Sequence, residues 1–265
     1  MARVTPLWQS PELSLHRFDH PVEHEDQPYE EVASAYRASF VEAGAFRFEL
    51  AEQRWRVEQG DVMLSHPDMR FRAGFDGKGF NDTCLTLTYL AAEEEGFDPA
   101  RSWARAEAPI RPANDHLRYL RWGLERALAC ATPMFIEYCA AAIFRPHGGE
   151  ESGPPLSGRK FGWYAERIDH ARERIGRAYA DELTVSELAR EAGMSLFHFT
   201  RVFAALVGTP PHRYLVEARL KAARAMLAEG RSVTDTCYAC GYANLSHFSR
   251  SFARRFGAPP SILAA

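Results

Sequence analysis

The chain has 265 residues, 46% hydrophobic and 25% charged, with a formal net charge of −3. This composition supports a packed core and excludes wholesale disorder, and the length suits one large domain or two modest ones. Five scattered cysteines make no disulfide framework and point to a reducing cytoplasm; the N-terminus lacks a stretch of signal-peptide length, and the most apolar segment, residues 127–144, holds Pro133 and Glu137 and is a poor transmembrane helix.

From Glu31 to Leu90 the pattern predicts short strands. Phe46, Phe48 and Leu50 alternate with Arg47 and Glu49, Trp55 and Val57 with Arg54 and Arg56, and Met69 and Phe71 with Arg70 and Arg72. Leu85, Leu87 and Tyr89 alternate with Thr86 and Thr88. Period-two patterning puts one set inside and the other in water. Gly44, Gln59-Gly60-Asp61, His66-Pro67-Asp68 and residues 74–79 punctuate the strands as turns. Many short strands with close turns argue for an antiparallel barrel or sandwich.

Helical spacing follows. Asn114 is an expected N-cap ahead of Leu117, Leu120, Leu124 and Leu128, and Thr132-Pro133 offers a second start before Phe135, Tyr138, Cys139, Ala142 and Ile143. The run His147–Gly158 is rich in Gly, Pro and Ser and has no periodicity. It divides the chain electrostatically, with −9 on residues 1–158 and +6 on residues 159–265. The expected organisation is a first domain over 1–147, a linker over 148–158 and a second domain over 159–265. The basic half is the one suited to a polyanion.

The second half contains an internal repeat. Thr184-Val-Ser-Glu187 is a helix-capping signal, and Ser232-Val-Thr-Asp235 repeats it 48 residues later. Ala189 matches Cys237 and Gly193 matches Gly241 at the same offset. Beyond the glycine the offset becomes 49, pairing Phe199, Arg201 and Phe203 with Phe248, Arg250 and Phe252, and Gly208 and Pro210 with Gly257 and Pro259. Each unit predicts helix, tight turn, helix, about 185–207 and 233–256, with one residue inserted just after the second glycine. In each second helix the phenylalanines form a buried stripe. The outer faces carry Phe197, Thr200 and Arg201 in the first unit and Ser246, His247, Ser249 and Arg250 in the second. Small polar residues beside an arginine suit a major groove. The helix between the units, Pro211–Glu229, spans about 27 Å, a stiff spacer for two readers near one-turn spacing.

Leu183–Pro260 resembles the double helix-turn-helix domain of AraC/XylS-type transcription regulators, through LTVSELAREAGMSLFHFTRVFAALVGTPPHRYL and SVTDTCYACGYANLSHFSRSFARRFGAPPS. The tail Ser-Ile-Leu-Ala-Ala departs from the aromatic and basic ending usual there, and Cys237 and Cys240 replace small aliphatics. Trp55–Leu64, followed by Pro67, resembles the strand–Gly-Asp–strand turn of that family's cupin-like sensing barrel. The resemblance implies an N-terminal cupin-like antiparallel β-barrel with helices, and a C-terminal all-α double helix-turn-helix domain. The implied function is a bacterial, sequence-specific DNA-binding transcription regulator under small-molecule control; the residues leave activator or repressor, and the effector, open. The implied partners are double-stranded DNA, RNA polymerase, an effector in the barrel, and a second copy of the chain. No cofactor and no membrane enter this reading.

Arg201 and Arg250 are the leading base-reading candidates, with Phe197, Thr200, Ser246, His247 and Ser249 beside them. Phe197 suits a thymine methyl or simply covers its own turn. Arg213, Arg219, Lys221, Arg224, Arg254 and Arg255 are candidates for phosphate contact, or surface charges that aid solubility. The competing class is a cupin-type enzyme, or a redox or alkylation sensor using Cys84. Against the enzyme stands the lack of a His-x-His cluster: His20, His24 and His66 are dispersed. No catalytic or metal-binding residue is expected. Cys237-x-x-Cys240 is expected to fill small core positions, Cys130 and Cys139 to pack inertly, and Glu93–Glu95 to be a solvated loop.

Overall fold

The computed structural model describes residues 3–20, 29–75, 82–90, 108–130, 133–143, 156 and 158–263. The chain divides into two compact units, Met1–Gly148 and Gly149–Ala265. Most of the expected linker, and all of His24, Glu93–Glu95 and the turn beyond Phe75, lie outside the described residues, as does the side chain of Cys130.

The first unit is antiparallel throughout. Its strands are β1 (Arg3–Gln9), β2 (Leu13–Asp19), β3 (Tyr29–Val32), β4 (Arg37–Leu50), β5 (Gln53–Glu58), β6 (Val62–Ser65), β7 (Arg70–Gly74), β8 (Asp82–Tyr89) and β9 (Ile110–Arg111). One ladder runs β1-β2-β8-β4-β6-β9, and β3, β7 and β5 join through the far half of β4. β4 therefore serves two sheets. Residues 37–44 pair with β8, and residues 45–50 pair with β5. A register shift between Val41 and Ala43, followed by Gly44 at φ 78°, turns the strand from one sheet into the other. Among the described residues the ladder does not close on itself: β1 and β9 stand at its ends.

The core between the sheets contains Val41, Phe46, Phe48, Val57, Met69, Phe71 and Cys84. The alternation expected of β8 fails, because Thr86 and Thr88 are buried as well as Leu85, Leu87 and Tyr89. Both faces of this strand are covered. Cys84 and Thr86 face the space between the sheets, while the Tyr89 hydroxyl, on the other face, donates to the Ala140 carbonyl in a helix. Thr86 is accommodated by donating to Ser39 Oγ, its cross-strand neighbour, at 3.0 Å. β1 and β2 precede the region where strands were expected, since their polar and half-buried faces give little alternation.

Two helices complete this unit: α1 (Asp115–Cys130) and α2 (Pro133–Ile143). Asn114 caps α1, its Oδ1 accepting from the Leu117 amide at 2.8 Å. Leu117, Leu120 and Leu124 are buried inside the unit. They are not a free dimer surface, so a Leu120→Glu substitution acts on folding. Gly123 lets α1 approach α2, because a Cβ there would collide with the Phe135 ring.

The second unit comprises α3 (Gly158–Ala178), α4 (Val185–Glu191), α5 (Leu196–Val207), α6 (Pro211–Ala228), α7 (Val233–Ala239) and α8 (Leu245–Phe256), then a short 3-10 turn at Pro260–Ile262. The repeat is visible as structure: α4 and α7 both have 7 residues, and α5 and α8 both have 12. Thr184 and Ser232 cap the first helix of each pair, and Ser195 and Asn244 cap the second. At Thr184 the capping box is reciprocal, and bonds from the Thr184 amide and hydroxyl hold the Glu187 carboxyl below its ordinary range.

Gly193 and Gly241 end the first helices with left-handed φ of 66° and 75°. Met194 and Tyr242 return their amides to the Ala189 and Cys237 carbonyls at 2.9 and 3.1 Å, one closure in both copies. The inserted residue is therefore Ala243, between this closure and the Asn244 cap. It leaves Tyr242 buried against Phe248, at 5.2 Å between ring centroids. Cys237 and Cys240 lie in the same core with Leu220, Leu227 and Phe252. Burial pushes the Cys240 thiol up to about 11, the behaviour of an inert core cysteine.

Candidate nucleic-acid interface and interior cavity

The recognition-helix candidates are α5 and α8. In each, the buried stripe fixes which side faces out: Phe199, Val202, Phe203 and Leu206 are buried in α5, and Phe248 and Phe252 in α8. The outward side of α5 presents Phe197, 81% exposed, with Thr200 and Arg201 half-buried. In α8 it presents Ser246, His247 and Arg250 exposed and Ser249 half-buried. Thus each set of base-reading candidates is brought onto one helix face. Leu196 and Leu245, at the first position of each helix, are also exposed and escaped the sequence reading. Their matched placement across a 49-residue offset was the available signal.

His198 differs from its counterpart. Its Nε2 lies 3.1 Å from the Tyr164 hydroxyl, which ties α5 to α3. His247 is exposed, with its ring 5.6 Å from that of Tyr242.

The six phosphate candidates separate by what they touch. Arg219 donates through Nε to the Tyr179 carbonyl at 2.7 Å and through Nη2 to the Asp181 carbonyl at 3.0 Å, and lies 5.9 Å from the Tyr242 ring centroid. It satisfies carbonyls just beyond the C-terminus of α3 and holds α6 there. Arg255 forks onto Glu217, with three contacts of 2.7–2.8 Å joining α8 to α6. Arg224 stacks 5.5 Å from the Phe256 ring centroid. Arg213, Lys221 and Arg254 are exposed, and Arg201, Arg250, Arg213 and Arg254 make no ion pair among the described residues. Arg219→Met should therefore lower the stability of the second unit by about 1.5–3 kcal/mol, since two charge-assisted bonds go while the stem stays. Chemical unfolding of the full chain measures this. Unchanged stability would contradict the bracing role.

The first unit holds a cavity of about 160 Å³ between its sheets. One wall is aromatic, with Phe46, Phe71 and Phe75, and the other carries Arg37, Ser39 and Thr86. At a separate edge His20 Nδ1 lies 2.8 Å from Asp82 Oδ1, and the Cys84 thiol donates to Asp82 Oδ2 at 3.2 Å. Burial first, and the Asp82 charge next, push the Cys84 thiol well above its ordinary value. That disfavours the thiolate a redox or alkylation sensor uses. Among the described residues no three of His, Cys, Asp and Glu gather as a metal site, and no helix is long and apolar enough to cross a membrane.

Comparison with known proteins falls mainly on the second unit. Residues 188–264 match the family described as a helix-turn-helix domain. Over 90 residues the chain is 41% identical to an HTH-type transcriptional regulator of Mycobacterium tuberculosis, covering 34% of this chain and 33% of that protein. Over 84 residues it is 34% identical to the virulence regulon transcriptional activator VirF of Yersinia enterocolitica, covering 31% of each. The chain thus spans about a third of the length of these curated relatives. A solved transcriptional regulator from Chromobacterium violaceum, with an AraC-type DNA-binding domain, matches 37% of this chain and 89% of that one, at 26% identity and a TM-score of 0.35.

Proposed function

We propose that the second unit is an AraC-type helix-turn-helix domain and that the whole chain is a sequence-specific DNA-binding transcription regulator, controlled by a small molecule in a cupin-like first domain. The observation that carries this reading is the duplicated helix-turn-helix, with matched outward faces on α5 and α8 separated by the 18-residue α6. In this reading Arg201 and Arg250 reach base edges, with Phe197, Thr200, Ser246, His247 and Ser249 around them. Arg213, Arg219, Lys221, Arg224, Arg254 and Arg255 are the phosphate candidates in this reading, led by exposed Arg213 and Arg254, while Arg219 and Arg255 also brace the fold through backbone carbonyls and Glu217. The charge division supports the assignment, since the basic half is the one with the helical pairs.

Domain limits of 1–147 and 159–265, joined by a linker over 148–158, belong to the same proposal. So do RNA polymerase and a second copy of the chain as partners, and the cytoplasm as its place. The Gly60-Asp61 turn supports the cupin-like reading: Gly60 adopts φ 97°, and Asp61 accepts from the Glu58 and Ala113 amides at 2.9 Å each. Sedimentation of the full chain over a concentration series reads the dimer directly.

Recovery of chain-bound DNA from cells tests the function, with enrichment at discrete promoter sites expected and uniform recovery contradicting it. A second test separates phosphates from bases. Arg213→Ala or Arg254→Ala should lower the log–log salt slope of DNA binding by roughly one unit and weaken all sequences about equally. A loss confined to one sequence would reassign that residue to base reading.

A further inference from the structure

The cavity of the first unit has one feature that its own residues leave unanswered. Arg37 lines it, yet among the described residues its one polar partner is Ser34 Oγ, 3.2 Å from Nη2, and its Nε is buried with no hydrogen-bond acceptor there. No carboxylate among the described residues lies within ion-pair distance of it. Glu31 lines the same cavity without reaching it, while Asp82 is engaged with His20 and Cys84.

Register places Asp82 away from Arg37. Arg37 faces Thr88 of β8 and Ser65 of β6, whereas Asp82 lies six residues along β8 from Thr88, at the Gly44 end of the ladder. Six residues of strand extend about 20 Å. The hydroxyl Oγ1 of Thr88, directly opposite Arg37, is likewise buried and unpartnered. Arg37 and Thr88 are therefore a cation and a hydroxyl side by side with hydrogen-bonding capacity unspent. A half-buried guanidinium whose Nε is shut off from water without an acceptor leaves a donor unspent, and a carboxylate matches its fork in charge and geometry.

The rest of the cavity sets the body of the occupant. Phe18, Phe46, Met63, Phe71 and Phe75 surround it with apolar surface. Its volume, about 160 Å³, is close to that of apolar cavities that hold a single six-membered ring. We propose that this cavity binds a small monocarboxylate with an apolar, ring-sized body, its carboxylate on Arg37 and its body among the phenylalanines. This rests on the reading of the first unit as a sensor and supplies the class of molecule sensed. Burial first, and the Arg37 charge next, lower the pKa of His16, which is half-buried across β8 from Ser39.

Calorimetric titration of the full chain with cyclohexanecarboxylate and with its neutral isostere cyclohexanecarboxamide tests the proposal. The carboxylate is expected to bind, and the amide to bind at least roughly tenfold more weakly, the loss typical of a charge-assisted bond. Arg37→Met should impose a similar loss for the carboxylate, and Arg37→Lys should recover part of it. Equal binding of the two probes, full-affinity carboxylate binding by Arg37→Met, or no carboxylate binding at millimolar concentration would overturn the proposal. If Arg37→Met does not fold, the probe pair on the unaltered chain still decides. Sequence-selective DNA binding, measured on the same preparation without ligand, separates failure of this inference from failure of the regulator reading.

Discussion

Gly241→Ala should destabilise the second unit by about 2–5 kcal/mol, whereas Gly193→Ala, at the same place in the first copy, should cost about 1–2 kcal/mol. Both glycines hold left-handed φ, 75° and 66°, so both substitutions carry the backbone penalty. They differ in what lies beyond. A Cβ on Gly241 would stand 2.6 Å from the Ala180 carbonyl oxygen and 3.0 Å from its carbon, while one on Gly193 meets nothing within 4 Å. Backbone cannot step aside as a side-chain end can. The turn of α7–α8 is therefore pressed against the segment following α3, the same segment whose carbonyls Arg219 holds. Urea unfolding of the full chain, following the transition of the second unit, measures both variants. Equal losses would contradict the close approach as the cause. Because this contact seats α8, a folded fraction of Gly241→Ala should also read DNA poorly.

Arg250→Ala and Arg201→Ala should each weaken operator binding by about 1–3 kcal/mol if the guanidinium forks onto a base edge. Both side chains extend from the outward faces of their helices, away from Phe248, Phe252, Phe199 and Phe203, so stability should hardly change. The sites are on separate helices, so the losses in the double variant should add within about 0.5 kcal/mol. Titration at fixed salt against the recovered operator and a scrambled duplex is the measurement. Unchanged operator affinity in both variants would remove them from base reading.

The helical half was legible because its information is local. Caps, glycine turns and the phenylalanine stripe lie within a few residues of each other, and the change of offset from 48 to 49 located the insertion that the fold places at Ala243. The strand half was legible where one face is wet, as in β5 and β7, and misleading where both faces are covered. Thr86 looked solvated, yet it lies buried, bonded to Ser39. Arg37 was hidden for a different reason: it is half-buried at the start of β4, and only the pairing of that strand with β8 and β6 brings its side chain to the cavity beside buried Ser39. Roles that depend on distant partners were also invisible. Arg219 and Arg255 share the composition signal of phosphate ligands, but their partners, Tyr179, Asp181 and Glu217, are brought to them by tertiary packing.

The central claim is that α5 and α8 together read one bipartite DNA sequence. Selection of double-stranded DNA from a random pool by the full chain tests it most directly, at fixed near-physiological salt and with Arg201→Ala and Arg250→Ala run in parallel. One enriched site is expected, with two elements about one helical turn apart, roughly 10 base pairs, each element degraded by only one of the two substitutions. Recovery of a pool with no enriched sequence, or a single element indifferent to both arginines, would contradict it.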